Sequence, residues 1–189
     1  MAEAATALLA LWNDVEPALD AAYNEWHARE HVPERLTVPG ILWARRWGRS
    51  AAARMPRYLT LYGLRNPGVL DGEAYQRLLR EPTPMSRRMR PALTNLSRWV
   101  CRLVEQGSLD EASHLAAWTL GAEPADDGRA AGRLLAERMP HATALPWLQS
   151  GQTQPVEGAW LVCMPLDSAR VRDPLGPPGA AVYARLPVG

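Results

Sequence analysis

Residues 23–47 read YNEWHAREHVPERLTVPGILWARRW, and the fold turns on how this stretch is parsed. Apolar residues at Leu19, Ala22, Tyr23 and Trp26 follow helical spacing, so the segment opens as an amphipathic helix. Glu16-Pro17 suits a helix start: proline is tolerated in the first turn and the carboxylate complements the dipole. Pro33 lacks a backbone donor and crowds the preceding turn, which predicts that the helix ends or kinks near Val32. Pro39-Gly40 then turns the chain into a strand, Ile41 to Trp47. There Trp43, Arg45 and Trp47 alternate with Leu42, Ala44 and Arg46. Two of the four histidines and three of the eight tryptophans lie within these 25 positions.

Working outward, residues 6–15 form an apolar run of strand length. Arg57 to Leu64 alternates Tyr58, Thr60 and Tyr62 against Leu59 and Leu61. Pro67-Gly68 and Asp71-Gly72 mark a turn before a helix from Glu73 to Leu79. Pro82-Thr-Pro84 interrupts that helix, and Ser86 starts an arginine-rich continuation. Leu96 to Gln106 reads as a fourth strand, giving the order β-α-β-β-α-β of the ferredoxin-like arrangement.

The remainder begins as the first part did. His114 to Trp118 followed by Glu123-Pro124 echoes Leu9 to Trp12 followed by Glu16-Pro17, give or take one residue, at an offset of 106 to 107 residues. A helix from Asp126 to Met139 then ends at Glu137-Arg-Met-Pro140, as the first ends at Glu30-His-Val-Pro33. Strands follow at Ala142 to Gln149, Ala159 to Met164 and Ala180 to Leu186, with 168–174 left for a reduced second helix. The expectation is α+β: tandem ferredoxin-like repeats at 1–107 and 108–189, the second degenerate, their antiparallel sheets packed as one α+β barrel. The bare face of the first sheet would carry Trp12, Trp43, Trp47, Tyr58, Tyr62 and Trp99, or the opposite set.

Composition narrows the function. The chain has 189 residues, 47% hydrophobic and 22% charged, as a globular protein does. A net charge of +1 gives no field for nucleic acid or an anionic membrane. All 21 basic residues are arginine, with no lysine or phenylalanine, which points to a GC-rich, bacterial coding genome. The first residues lack the basic region of a signal peptide, and no apolar run reaches membrane-span length. With Cys101 and Cys163 as the two cysteines, these features predict reduced thiols and a cytoplasmic protein. There is no P-loop, dinucleotide fingerprint, nucleophile elbow or zinc-type cysteine spacing.

The pattern W-x4-H-x-P-E-R-L-x-x-P-G, carried by Trp26, His31, Pro33, Glu34, Arg35, Leu36, Pro39 and Gly40, resembles the dimeric α+β barrel superfamily, in particular its EthD-like members. Residues 57–62 and 82–89 are similar to uncharacterised members, and the resemblance covers residues 6 to about 106. The superfamily includes cofactor-free monooxygenases, polyketide cyclases, isomerases, lyases and haem-binding enzymes, so it implies a fold more than a reaction. Arg138 stands where the second copy would carry the histidine, which leaves one site per chain.

His31 is the first candidate acid/base. In the last turn before Pro33, the negative end of the helix dipole would favour its protonated form. Trp26, Trp43, Tyr58 and Tyr62 are candidates for an aromatic pocket, with Arg45 to orient a carboxylate or phenolate; the same residues serve equally as core. His27-Ala-Arg-Glu30-His31 also spells the H-x-x-E-H zinc motif, for which Glu105 would have to supply a third ligand; the proline beside it and the fold resemblance weigh against a metal. Arg87, Arg88 and Arg90 read as a solvated basic knot. The expectation is a small-molecule-binding protein or a cofactor-independent proton-transfer enzyme for a small apolar, aromatic compound. Its alternatives are a haem-binding protein with His31 as axial ligand and a non-catalytic assembly module. The barrel would close within one chain or between two.

Overall fold

In the computed structural model, described for residues 3–49, 55–107, 109–125, 132–140, 145–166, 177 and 180–189, eight antiparallel strands close into a single barrel. The strands are β1 (Ala7–Val15), β2 (Ile41–Gly48), β3 (Tyr58–Leu64), β4 (Leu93–Glu105), β5 (His114–Leu120), β6 (Leu134–Arg138), β7 (Trp160–Leu166) and β8 (Ala181–Leu186). Around the barrel they run β1-β3-β2-β8-β5-β7-β6-β4. The order 4-1-3-2 within the first four strands recurs as 8-5-7-6 within the last four. The two groups meet at β2–β8, paired only over Arg46–Gly48, and at β4–β6.

This corrects the expected fold class. The α+β, ferredoxin-like repeats, each a sheet under its own helices, do not form. The molecule is mostly sheet, and its short helices lie, among the described residues, between 17 and 92: α1 (Asp20–Trp26), α2 (Val32–Leu36), α3 (Glu73–Arg80) and α4 (Pro84–Met89), with single 3-10 turns. The helix expected over 126–139 is overturned by β6. Leu134 and Ala136 point into the barrel and Leu135 outward, a period of two that the mirrored Glu-x-x-Pro ending concealed. The expected strand at Ala142–Gln149 is irregular over 145–149; its first residues, and the helix expected at 168–174, lie outside the described residues.

The interior is filled by alternate side chains of every strand. Leu8, Ala10 and Trp12 meet Trp47, Leu59, Leu61, Trp99 and Cys101 from the first four strands, and Leu115, Ala117, Leu134, Ala136, Leu161, Cys163, Ala181 and Tyr183 from the last four. An eight-stranded barrel is just wide enough to be filled in this way. Trp43 lies over Gly63, where any Cβ would fall 2.1 Å from its indole. Cys101 and Cys163 are free and buried in this core, and burial raises both thiol pKa values, that of Cys101 to about 12.

The face assignment also changes. Trp12, Trp43, Trp47 and Trp99 share the interior, but with Leu59 and Leu61 rather than Tyr58 and Tyr62. The two tyrosines point outward, beneath the helices. A bulge between Ile41 and Trp43 turns Ile41 out to join them.

The helical layer departs from expectation at Pro33. The helix does not end there. It widens into one π turn, His27–His31, in which the Val32 amide donates to the His27 carbonyl, and continues as α2 to Leu36. Proline cannot donate to the carbonyl four residues back and its ring crowds that position, so the wider turn is what lets the helix absorb it.

Candidate functional site

The π turn sets the site. Closing residue i onto i+5 brings side chains four apart near one azimuth, and His27 and His31 project together toward the outer face of the sheet. Their ring centroids are 4.9 Å apart, and the Trp26 ring lies 4.6 Å from that of His31. Tyr23 stands 5.1 Å from His27, its hydroxyl donating to Asn13 Oδ1 at 3.1 Å.

These side chains form one wall of a cleft between the helical layer and β1, β3 and β4. Leu9, Leu11 and Tyr62 make the floor, Tyr75 and Leu79 of α3 a second wall, and Trp147 a rim. Its narrow inner space measures about 50 Å³, and the whole recess with its mouth about 640 Å³. Trp147 reaches the rim because its loop is bolted to the barrel. The buried Gln152 amide donates to the carbonyls of Arg90, Pro91 and Leu93 at 2.9–3.2 Å, and Leu96 pairs with Thr153.

The electrostatics are one-sided. Burial, then the Arg46 and Arg35 charges, hold His27 well below the ordinary imidazole range. Burial, then Arg35, His27, Arg90 and Arg46, do the same to His31. Both rings are therefore neutral near pH 7. The expected protonation by the helix dipole does not apply, because the helix runs on past His31. The Nδ1 atoms of both histidines, the Tyr62 hydroxyl and the Trp147 indole nitrogen are buried without a hydrogen-bond partner. Burial raises the Tyr62 pKa, so the phenol keeps its proton.

Arginines surround the cleft. Arg35, itself buried, donates to Glu34 at 3.0 Å and packs over the Tyr75 ring. Arg90 is also buried; it donates to the Leu78 and Leu79 carbonyls at 2.8 and 2.9 Å, capping the C-terminus of α3, and lies 5.5 Å from the Trp147 ring centre. Burial, then the nearby Arg35 charge, lower its pKa to about 10. Arg98 of β4 completes the set, and among the described residues no carboxylate lines the cleft.

The sequence candidates thus divide. Trp26, His31 and Tyr62 line the cleft. Tyr58 lies elsewhere: its hydroxyl donates to Asp20 at 2.5 Å and accepts from Asn24 at 2.8 Å, and burial followed by Asp20 pushes its pKa up to about 12. Trp43 and Arg45 belong to the opposite face of β2, where Arg45 bonds the Ala44 carbonyl and pairs with Asp110 at one end of the barrel. Tyr23, Arg35, Tyr75, Arg90, Arg98 and Trp147 also line it with no sequence signal that marks them as site residues, and His27 has one only as a metal ligand. The zinc reading fails on geometry. Glu30 turns away from the histidines to accept from Trp26 Nε1 at 3.2 Å and from Thr83 Oγ1, while Glu105 pairs with Arg133 at 2.6 Å. Among the described residues no group of three or more potential ligands can hold a metal.

Among the described residues no helix is long and apolar enough to cross a membrane. No protein-family model matches the chain, and no curated protein matches it. Among solved structures, it is similar to one described as "Crystal structure study of anthrone oxidase-like protein", at 10% identity over 95% of this chain and 72% of that one, with a TM-score of 0.48.

Proposed function

We propose that the cleft binds a small, largely apolar, flat molecule and that His31 moves a proton on it without a cofactor. The observation that supports this reading is the pair of neutral imidazoles whose Nδ1 atoms are buried and unpartnered in an aromatic-walled recess. Buried polar atoms are normally satisfied, and an unsatisfied cluster in a cleft marks where a ligand or ordered water belongs. A neutral imidazole is in the state that accepts a proton. His31, nearer the mouth and half-buried, is better placed for this than the fully buried His27. The segment on which the chain resembles EthD-like proteins, Trp26 to Gly40, contributes Trp26, His27, His31 and Arg35 to this wall.

Native mass spectrometry of freshly purified protein, against the same sample denatured, is the first test. The expected result is a co-purifying small molecule that supplies the substrate class. With a substrate of that class, His31→Ala should lower turnover by about a hundredfold or more; full turnover in that variant sinks the assignment. A protein that stays empty against a broad set of apolar compounds removes the binding reading altogether.

A further inference from the structure

We infer that the molecule taken into this cleft carries an anionic oxygen at its buried end, a carboxylate on a flat apolar body, held by Arg35 and the Tyr62 hydroxyl. The inference rests on the reading of the cleft as a small-molecule site and adds the chemistry of its occupant.

The walls hold three arginines and, among the described residues, no acid. Glu30 is occupied by Trp26, Thr83 and Ser86, and Glu34, though paired with Arg35, stands outside the lining. Arg35 and Arg90 are both buried, and Arg35 is the charge acting most strongly on Arg90 and also on Tyr62 and His31. Like charges held out of water oppose one another, and an anion between them reverses that sign. Arg35 makes one hydrogen bond, to Glu34, so most of its donors are uncommitted among the described residues.

The Tyr62 hydroxyl has a proton to give and no acceptor. A neutral apolar guest would leave that donor dry, which is the costly arrangement for a buried polar group. A carboxylate satisfies both groups, one oxygen facing the planar guanidinium fork and one facing the phenol. Leu9, Leu11 and Leu79 around this pole supply the apolar contact for the rest of the guest. An anion beside His31 also makes its protonated form less unfavourable, so the base strengthens once the ligand is in place.

The test compares sodium benzoate with benzamide, a neutral molecule of the same shape, by calorimetric titration at constant ionic strength. Benzoate is expected to bind about tenfold tighter or more, with the side-chain nitrogen resonances of His31 shifting as it binds. Arg35→Gln should abolish the preference. Because that variant removes a buried ion pair, Tyr62→Phe serves as the second: it deletes a hydroxyl with no partner to lose, and should weaken benzoate about threefold. Equal binding of benzoate and benzamide overturns the anion inference and leaves the cleft as a small-molecule site. Binding of neither overturns the anion inference, while the small-molecule reading is decided by the native mass spectra and the broad compound set. Preferential benzoate binding unaltered in both variants overturns the assignment to Arg35 and Tyr62.

Discussion

His27 and His31 tie the site to stability through their protons. Both are held well below the imidazole value in the folded protein, whereas unfolding returns them to about 6.5. Below that pH the unfolded chain binds protons that the folded one refuses, so stability falls as pH drops and is fully present above about pH 7. Each histidine contributes up to about 1.4 kcal/mol of loss per pH unit below its unfolded value. Urea midpoints should fall between pH 7.5 and pH 5 (about two units below neutral), and the double variant His27→Gln/His31→Gln should flatten that slope. A midpoint independent of pH in the parent protein contradicts the burial of neutral rings. At this scale the sequence was partly legible. Trp26 could be picked out from the apolar stripe, His31 from its place in the turn before Pro33, and Tyr62 because it alternates with leucine. Tyr58 shares that face but sits four residues along the strand, about 13 Å away, and so misses a slot this small.

At the scale of elements, the first helix and α4 are joined through one carboxylate. Glu30 Oε1 accepts from Trp26 Nε1 and from Thr83 Oγ1, while that same Thr83 oxygen accepts the Ser86 amide at 3.0 Å and so caps α4. Hydrogen bonds to a charged group contribute about 1.5–3 kcal/mol each to a folded state. Glu30→Ala is therefore expected to cost about 2–4 kcal/mol, read from urea unfolding, and to loosen Trp26, read as a shift in its fluorescence. A loss below 0.5 kcal/mol (about the scatter of surface substitutions) would mean that the network is replaced by water. The links between the two helices are not legible in the sequence, since they join residues 53 to 60 apart. The π turn was hidden for a different reason. A proline announces that a regular helix cannot continue, and does not say whether the chain stops or widens. Widening re-phases everything after His27, so a regular helical stripe no longer places Arg35. Arg90 looked like part of a solvated knot because its buried role depends on where α3 ends.

At the scale of the molecule, closure runs through two seams. The β2–β8 ladder spans three residue pairs and β4–β6 four. Separated from the rest, residues 1–107 would keep β1 to β4 but expose two unpaired edges and the inward faces of Trp12, Trp47 and Trp99. That fragment is expected to form dimers or aggregates rather than a monomer, in size-exclusion chromatography with light scattering. A stable monomeric fragment would show that the interior is not needed to hold the first four strands. The strand positions of this half were readable to within a few residues, because alternation of aromatic and aliphatic residues is strong there. The second half was misread where a motif match outweighed the two-residue period of Leu134, Leu135 and Ala136. Barrel closure replaced face-to-face packing of two layers because the inward side chains of all eight strands fill one space.

The indoles inside the barrel have an optical consequence. Trp12 and Trp99 meet edge to face, their centres 5.4 Å apart, on the adjacent strands β1 and β4. Chromophores this close and this fixed share their excitation, so the pair should give a circular-dichroism couplet that survives only while both strands keep their register. Trp26 and Trp147 stand apart from that pair in the cleft, where a guest or a change in local polarity alters their emission. One untagged sample thus carries two separate optical channels, absorption chirality for the integrity of the barrel and emission colour for the occupancy of the cleft.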